Sequence, residues 1–267
     1  MSRPSPPVAL TIAGTDSGGG AGIGADLKSF AAEGVHGVFA VTVVTAQNTT
    51  EVRDVHAMPV GMVQSQIDAV TDDFAVGATK TGLLWGADTV RAVAERVDRL
   101  GRLVVDPVLV NSKRQRIQSP DVDEQYRSGL FGAALVLTPN VAEAELLLDR
   151  SISTPTELLD AARRLRATGA EHVVVTGLLA DGQALDAWAG PDGTELLSAE
   201  LVDTRNIHGT GCSFAATVAA RLAHGDAAAT AIPAAKASIA EAIGAAAAWR
   251  LGSGQGPIDH FWRNRHV

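Results

Sequence analysis

Short apolar runs alternate along the chain with longer amphipathic or alanine-rich segments. Runs rich in β-branched and other apolar residues predict strands at residues 8–13, 38–44, 78–84, 103–105, 134–137, 172–176, 184–188 and 195–201. Apolar positions spaced for one helical face predict helices at residues 21–32, 60–70, 89–100, 141–148, 157–168, 212–223 and 227–250. Strands that alternate with helices in this way indicate an α/β fold with a largely parallel sheet.

Polar and turn-forming residues follow three of the predicted strands. Gly14-Thr15-Asp16 comes after the first strand, and Asp106-Pro107 and Thr138-Pro139-Asn140 come after two later ones. Ligands of parallel sheets bind beyond the carboxyl ends of the strands, so these residues indicate a site along one edge of the sheet. The alternative interpretation is that strand exits are simply where turns occur.

Composition narrows the classes of function. The 267 residues are 46% hydrophobic and 19% charged, which excludes a disordered chain and allows a substantial core. A net charge of −8 argues against nucleic acid or an anionic membrane as the main partner. The single cysteine cannot form an internal disulfide and favours a reducing cytoplasm, and no apolar run approaches the roughly 20 residues of a membrane span. We expect a frayed tail at residues 1–7 and one domain at residues 8–267.

Residues 14–22 form a glycine-rich segment between the first strand and the first helix. Glycines let the backbone approach a ligand closely, and free N–H groups at the start of the helix attract anions. No Gly-Lys-Ser/Thr follows, so the segment is not a P-loop. A flexible turn is the alternative interpretation.

A second glycine motif, His208-Gly209-Thr210-Gly211-Cys212, opens a long helical run. Consecutive backbone N–H groups at a helix start predict an anion hole suited to a phosphoryl group in transfer. The same positive field predicts a lowered pKa for the Cys212 thiol and a thiolate there. The alternative is that this cysteine is a small buried hydrophobic residue.

Asn140 and Glu143 are three residues apart at the start of a predicted helix, so their side chains face the same way. An amide and a carboxylate in this arrangement can hold hydrated Mg²⁺ together with phosphate oxygens. Asn140 can equally be a helix cap, with Glu143 as an acidic residue of the first turn.

Together these motifs resemble the hydroxymethylpyrimidine/phosphomethylpyrimidine kinases of thiamine biosynthesis, within the ribokinase-like superfamily. The resemblance covers nearly the whole chain, through residues 10–16, 19–23, 25–28, 45–49, 80–82, 106–108, 138–140, 206–212, 235–236 and 256–261. Most superfamily members have aspartate where this chain has Cys212, and cysteine there is typical of the pyrimidine branch. The resemblance implies a three-layer α/β fold with helices on both faces of the sheet.

The resemblance also implies roles for individual residues. It assigns the pyrimidine pocket to Gln47, Gly14, Ala21, Asp26, Leu83 and Val110. It assigns the catalytic centre to Cys212 and an anion hole of Gly209, Thr210 and Gly211. It assigns the ATP phosphates to Asn140, Glu143, Thr204 and Lys236, and Mg²⁺ to Asp106 and Glu143. The amide of Gln47 would pair with a ring nitrogen and the exocyclic amine of the substrate.

Two departures from the family pattern concern the phosphates. Where the family commonly has a phosphate-contacting lysine, this chain has Thr176. The loop after Val108 usually contains serine and glycine, whereas here it carries Lys113, Arg114 and Arg116. We hypothesise that these cations close over the phosphates and replace the lost lysine. The alternative is a solvated surface turn.

The resemblance implies an ATP- and Mg²⁺-dependent kinase acting on 4-amino-5-hydroxymethyl-2-methylpyrimidine and then on its monophosphate. One alternative is a pyridoxal/pyridoxine kinase, because the two rings are similar in size and both carry a hydroxymethyl group. The other is a catalytically weak protein that binds a thiamine precursor, for which the missing lysine is the support. A homodimer is suggested only by analogy with the family.

Overall fold

The computed structural model describes residues 5–264, which form a nine-stranded sheet between two layers of helices. The strands are β1 (Val8–Gly14), β2 (His36–Gln47), β3 (Val52–Ala57), β4 (Val76–Thr81), β5 (Arg102–Val105), β6 (Val136–Leu137), β7 (His172–Ala180), β8 (Gln183–Gly190) and β9 (Gly193–Glu200). They lie in the order β3-β2-β1-β4-β5-β6-β7-β8-β9. The six inner strands β2, β1, β4, β5, β6 and β7 pair in parallel, whereas β3, β8 and β9 are antiparallel additions at the edges.

Eight α-helices connect and follow these strands within the described residues. They are α1 (Gly22–Ala32), α2 (Val60–Asp73), α3 (Ala87–Ala94), α4 (Asp121–Gln125), α5 (Val141–Leu148), α6 (Pro155–Arg166), α7 (Thr210–Ala223) and α8 (Ala228–Ala246). The start of α6 shows how the sequence sets a helix boundary. Thr154 and Glu157 form a reciprocal capping box around Pro155, which needs no N–H partner at the first helical position. None of these helices combines the length and apolar character that a membrane crossing requires.

The sheet is buried on both faces because successive strand residues point in opposite directions. Val105 belongs to the core beneath α2 to α6, whereas its neighbour Val104 belongs to the core beneath α1, α7 and α8. The predicted three-layer α/β architecture with a largely parallel sheet is therefore confirmed.

The structure differs from the predicted elements mainly at the edges. β3 was not predicted, because this exposed edge strand carries Arg53, Asp54 and His56 and lacks an apolar run. The helix predicted at residues 89–100 ends at Ala94 and continues as a short 3₁₀ turn. Residues 1–4 of the predicted tail lie outside the described residues, and the carbonyl of Pro7 already accepts a hydrogen bond from the sheet.

Candidate active site

A buried lysine lies between two carboxylates at the carboxyl ends of the central strands. The ammonium of Lys80, on β4, is 3.0 Å from both carboxylate oxygens of Asp26 and 3.7 Å from Oδ2 of Asp106. Asp106 directly follows β5, and Asp26 lies on α1, where it also accepts a 2.6 Å hydrogen bond from Thr11. Asp26 has no exposed surface and its carboxylate bonds to Thr11 and Lys80, so its assignment to the pocket wall stays a prediction.

Burial and the charges of neighbouring groups together set the pKa values of this cluster. Burial raises the pKa of Asp106 to about 6, and the Lys80 ammonium opposes this while the Asp26 carboxylate adds to it. Burial also raises the pKa of Asp26. For Lys80, burial alone would lower the pKa, but Asp26, Cys212 and Asp106 raise it overall, so the ammonium stays charged.

The second glycine motif forms the first turn of α7. Gly209 precedes the helix with a φ of 78°, and a Cβ at this residue would lie 1.7 Å from the carbonyl oxygen of Gly20. Only glycine fits this position. Within residues 5–264, the N–H groups of Gly211 and Cys212 have no protein acceptor, so they are available to an anion. Thr210 is less available, because its N–H and its hydroxyl both donate to the carbonyl of Ile207.

The predicted thiolate at Cys212 is wrong for the structure as it stands. Burial raises the pKa of the Cys212 thiol to about 12, and Asp106 and Asp26 add to the shift although Lys80 opposes it. The field of the helix start is too weak to overcome desolvation and two nearby carboxylates. The thiol is therefore protonated at neutral pH, and it donates a hydrogen bond that lowers the pKa of Asp106.

In the first glycine-rich segment, N–H groups of the loop that precedes α1 are bonded within the segment itself. The carboxylate of Asp16 accepts hydrogen bonds from the N–H groups of Gly18, Gly20 and Ala21 at 2.8, 3.1 and 3.0 Å. The same carboxylate lies 2.8 Å from Nε2 of His208, which lowers its pKa against the effect of burial. The segment is thus a loop that is closed on its own aspartate and fastened to the second glycine motif.

Gln47 ends β2 beside this loop. Its backbone N–H and carbonyl both bond to the hydroxyl of Ser17, at 2.8 and 2.7 Å. Its side-chain oxygen has only a long 3.4 Å contact with the Thr45 hydroxyl. The amide is partly exposed and its polar atoms are largely free for a ligand.

Three of the other predicted pocket residues, Gly14, Ala21 and Leu83, lie around the first glycine-rich loop. A Cβ at Gly14 would lie 2.5 Å from Val43 and 3.6 Å from Leu83, which shows that Gly14 and Leu83 are neighbours. Ala21 ends the glycine-rich loop at the start of α1. Val110 is buried farther along the chain, at the base of the loop that follows β5.

Asn140 and Glu143 form a capping box at the start of α5. Asn140 Oδ1 accepts from the Glu143 N–H at 3.0 Å, and Glu143 Oε2 accepts from the Asn140 N–H at 2.9 Å. Glu143 Oε1 also accepts from the Leu109 N–H at 3.2 Å. The structure thus shows the alternative arrangement that we weighed for this pair, a helix cap with an acidic residue of the first turn, and the joint Mg²⁺ site stays a prediction. Glu143 remains a candidate, because burial and the nearby Asp106 raise its pKa well above the ordinary range.

The residues predicted for ATP lie toward β7 and α8. The Thr176 N–H bonds to Pro139, which places Thr176 beside Asn140. The ammonium of Lys236 is 2.9 Å from Oδ2 of Asp186. The other carboxylate oxygen of Asp186 accepts a hydrogen bond from the N–H of Gly177, the residue after Thr176.

Thr204 is engaged elsewhere. Its hydroxyl donates to the Ala247 carbonyl after α8 and accepts from the Asn206 N–H. It therefore orders the segment before α7.

The basic loop is held to the protein surface. Val110 pairs with Arg116 across its base, and Arg116 bonds to Asp123 at 2.6 Å. Arg114 forms an ion pair with Glu145 on α5. Lys113 is exposed, and its ammonium has no ion-pair or hydrogen-bond partner in the part of the chain that the structure describes. Two of the three cations therefore need to leave carboxylates before they can contact a phosphate.

Lys80 and the Asp16–His208 pair are candidate functional groups to which we assigned no role from the sequence. The sequence does contain an indication of Lys80, because it lies inside the central strand Val76–Thr81. Burying a lysine there is energetically unfavourable unless a carboxylate pairs with it. Nothing in the local pattern indicates its partners, since Asp26 is 54 positions away. The Asp16–His208 contact spans 192 positions and has no signal in spacing.

Comparisons with known proteins identify the family of the chain. The model of the phosphomethylpyrimidine kinase family matches residues 16–259. A hydroxymethylpyrimidine/phosphomethylpyrimidine kinase of Rhizobium meliloti is 43% identical over 259 residues, which cover 96% of this chain and 97% of that protein.

Solved structures share the whole fold. A Bacillus subtilis pyridoxal kinase bound to ADP is 35% identical with a TM-score of 0.90, covering 98% of this chain and 100% of that one. A Staphylococcus aureus pyridoxal kinase with AMP-PCP and pyridoxal is 29% identical with a TM-score of 0.89, covering 98% and 96%. Family match, full-length identity and shared fold together show that this chain belongs to the phosphomethylpyrimidine kinases, enzymes of the ribokinase-like fold.

Proposed function

We propose that this protein transfers the γ-phosphoryl group of ATP to the hydroxymethyl group of 4-amino-5-hydroxymethyl-2-methylpyrimidine, and then to the resulting monophosphate, in thiamine biosynthesis. The observation that carries the proposal is the start of α7. There, two free N–H groups and the Cys212 thiol lie beside Asp106 and Lys80 at the strand ends. Relatives named for this activity support it.

The chemistry of this site is mainly positioning and electrostatic stabilisation. A loose phosphoryl-transfer transition state spreads negative charge over the transferring oxygens. The N–H groups of Gly211 and Cys212 point from a helix start, where they stabilise such charge without reorganisation. Gln47 holds the pyrimidine with an amide that is largely free for it.

Cys212 acts in this mechanism as a neutral thiol. With a pKa of about 12 it is not a preformed base at neutral pH. The thiol hydrogen bonds to Asp106, and its place beside the N–H groups of the anion hole would let it order the attacking oxygen as well. Little base strength is needed early in a loose transition state.

Mg²⁺ fits the carboxylates of Asp106 and Glu143. Both are buried oxygen donors, and the charge of Asp106 adds to burial in raising the pKa of Glu143. A divalent cation beside both would offset this repulsion, and Mg²⁺ commonly uses one or two carboxylates with water and phosphate oxygens. When bound, the ion would neutralise charge on the phosphates.

A coupled spectrophotometric assay of ADP formation tests the proposal. The protein is given ATP and Mg²⁺ with the pyrimidine, its monophosphate or pyridoxal in turn. We expect the highest kcat/KM with the two pyrimidines. Binding of the pyrimidine without turnover would instead support a weak precursor-binding protein.

Pyridoxal is the second candidate substrate. The specific observation in its favour is the near-complete structural match to pyridoxal kinases, at TM-scores of 0.89 and 0.90. Gln47 favours the aminopyrimidine, because an amide pairs with a ring nitrogen and an adjacent amine together. A kcat/KM for pyridoxal above that for the pyrimidine would reverse the assignment.

The single domain at residues 8–267, the homodimer and the cytoplasmic location stay predictions.

A further inference from the structure

Lys80 is the one fully buried cation among the described residues, and it lies where the strand ends meet. Its side chain has no exposed surface, in a sheet strand that is otherwise occupied by small and apolar residues. Burying an ammonium is strongly unfavourable unless carboxylates compensate for its lost hydration. The two that do so, Asp26 and Asp106, differ in position: one lies on α1 and the other at the exit of β5.

The backbone is shaped around this ammonium. A Cβ at Gly82 would lie 2.8 Å from Lys80 Nζ and 3.0 Å from the Cβ of Ala13. Glycine at this position therefore leaves the space that the ammonium occupies. Asp26 alone pairs with the lysine through two 3.0 Å contacts, so a purely structural ion pair does not need the second carboxylate.

The second carboxylate connects Lys80 to the reacting groups. Asp106 lies 3.7 Å from the ammonium and accepts a hydrogen bond from the Cys212 thiol. The Lys80 charge also acts on Cys212 directly, and it opposes the effect of burial there. One ammonium thus influences both side chains that flank the anion hole.

We propose that Lys80 is a positioning residue for phosphoryl transfer, whose ammonium holds Asp106 and Cys212 in place while Asp26 anchors it. This inference rests on the proposed kinase function. Lys80 does not touch the substrate, so its removal should lower kcat and leave KM nearly unchanged.

Gly82→Ala tests the position of the ammonium without removing its charge. The added methyl group must displace Nζ, which is the flexible end of a side chain, so the fold should be retained. We expect kcat to fall about tenfold with KM changed less than about threefold. The matched control is Gly61→Ala on α2, where an added Cβ meets no atom within 4 Å. A Gly82→Ala protein with the kcat of the control would overturn the proposal.

The double variant Asp26→Asn/Lys80→Met tests the charge without leaving Asp26 as a buried ion that has lost its partner, and Asp106 becomes the one carboxylate of the cluster. We expect kcat to fall about 10²-fold. Its control is the double variant Asp68→Asn/Arg96→Met, which removes a two-contact ion pair far from the site. If Lys80 only neutralises Asp26, the site variant will turn over as fast as this control, and the proposal fails.

A third measurement does not depend on turnover. Cys212 is the only cysteine of the chain, so iodoacetamide labelling followed by mass spectrometry reports on it alone. At a fixed pH of about 8, we expect slower labelling in Asp26→Asn/Lys80→Met, because the Lys80 charge that favours the thiolate acts more strongly on Cys212 than the Asp26 charge that disfavours it. Equal labelling rates would overturn the coupling even in an active enzyme. Slower labelling in a protein that does not phosphorylate the pyrimidine would leave the coupling intact and reject the proposed function.

Discussion

The two halves of the candidate site are built differently. The substrate side, which includes Gln47 and Cys212, contains the buried ion cluster of Lys80, Asp26 and Asp106, whose members come from β4, α1 and the exit of β5. The nucleotide side, made of Asn140, Thr176, Lys236 and the loop at residues 111–116, is fixed by a helix cap and by separate ion pairs, of which Arg114–Glu145 is the most exposed and Lys236–Asp186 the most buried. Buried pairs hold a fixed geometry because an unpaired partner is strongly penalised, whereas exposed pairs break at little cost.

This difference indicates which contacts of the site can break and re-form during a reaction cycle. A reaction centre tolerates errors of only a fraction of an ångström, so rigid support there is expected. The nucleotide must enter and leave in each cycle, which requires contacts that can be broken and remade. Four substitutions or titrations test this division, in descending order of expected effect.

Cys212→Ala should have the largest effect. We expect kcat to fall about 10²- to 10³-fold with little change in KM, because the anion hole is formed by backbone groups that the substitution leaves in place. Cys212→Ser is the matched control and should retain more activity than alanine, since a hydroxyl also hydrogen bonds to Asp106. Near-normal kcat in a folded Cys212→Ala protein would remove the side chain from the mechanism.

Lowering the pH should destabilise the protein through the contact between His260 and Ser213 on α7. His260 is 2.8 Å from the buried hydroxyl of Ser213, and burial lowers its pKa to about 4. Between about pH 6.5 and 4 the unfolded chain binds a proton that the native state does not, so stability is lost as pH falls through this window. We expect His260 alone to contribute a drop of about 3 kcal/mol in the free energy of unfolding, measured by urea denaturation as the difference in pH dependence between the protein and His260→Gln. His260→Gln, which keeps a hydrogen-bonding partner for Ser213, should lack this component, and an unchanged pH dependence would contradict the assignment.

Gln47→Leu should weaken binding of the pyrimidine by about 2 kcal/mol, because polar groups of the bound ring lose their partners. ATP binding should stay nearly unchanged, since the amide lies on the substrate side. Calorimetric titration of each ligand measures both effects. Equal losses for the two ligands would show that Gln47 supports the whole site instead of the ring.

The basic loop should give the smallest effect. Changing Lys113, Arg114 and Arg116 together to serine should lower kcat/KM by no more than about tenfold, because Arg114 and Arg116 must first leave their carboxylates. Adding Thr176→Lys should recover part of the loss. The assay belongs at low ionic strength, where exposed charges act most strongly. Full activity of the triple variant would identify these cations as surface solubilising groups.

Sequence patterns predict most of the fold because the inner strands and the helices carry periodic apolar positions. They miss β3, whose side chains are exposed and mixed in polarity. The motifs locate Cys212 and Asp106, since glycine runs and strand exits are local signals. Patterns fail for the thiol pKa and for Lys80, because both depend on charges that come from distant parts of the chain.

The hydrogen bond between Asp16 and His208 also bears on the order in which the molecule is built. It closes a loop of 192 residues, and Gly20 and Gly209 fit together beside it. Contacts of such long separation form late, because chain entropy must be lost before they contribute. A growing chain therefore carries its first glycine loop without a partner until α7 has been synthesised. We expect amide exchange at residues 16–21 to become protected only in the last phase of refolding, so that partly folded molecules have no phosphoryl-transfer site.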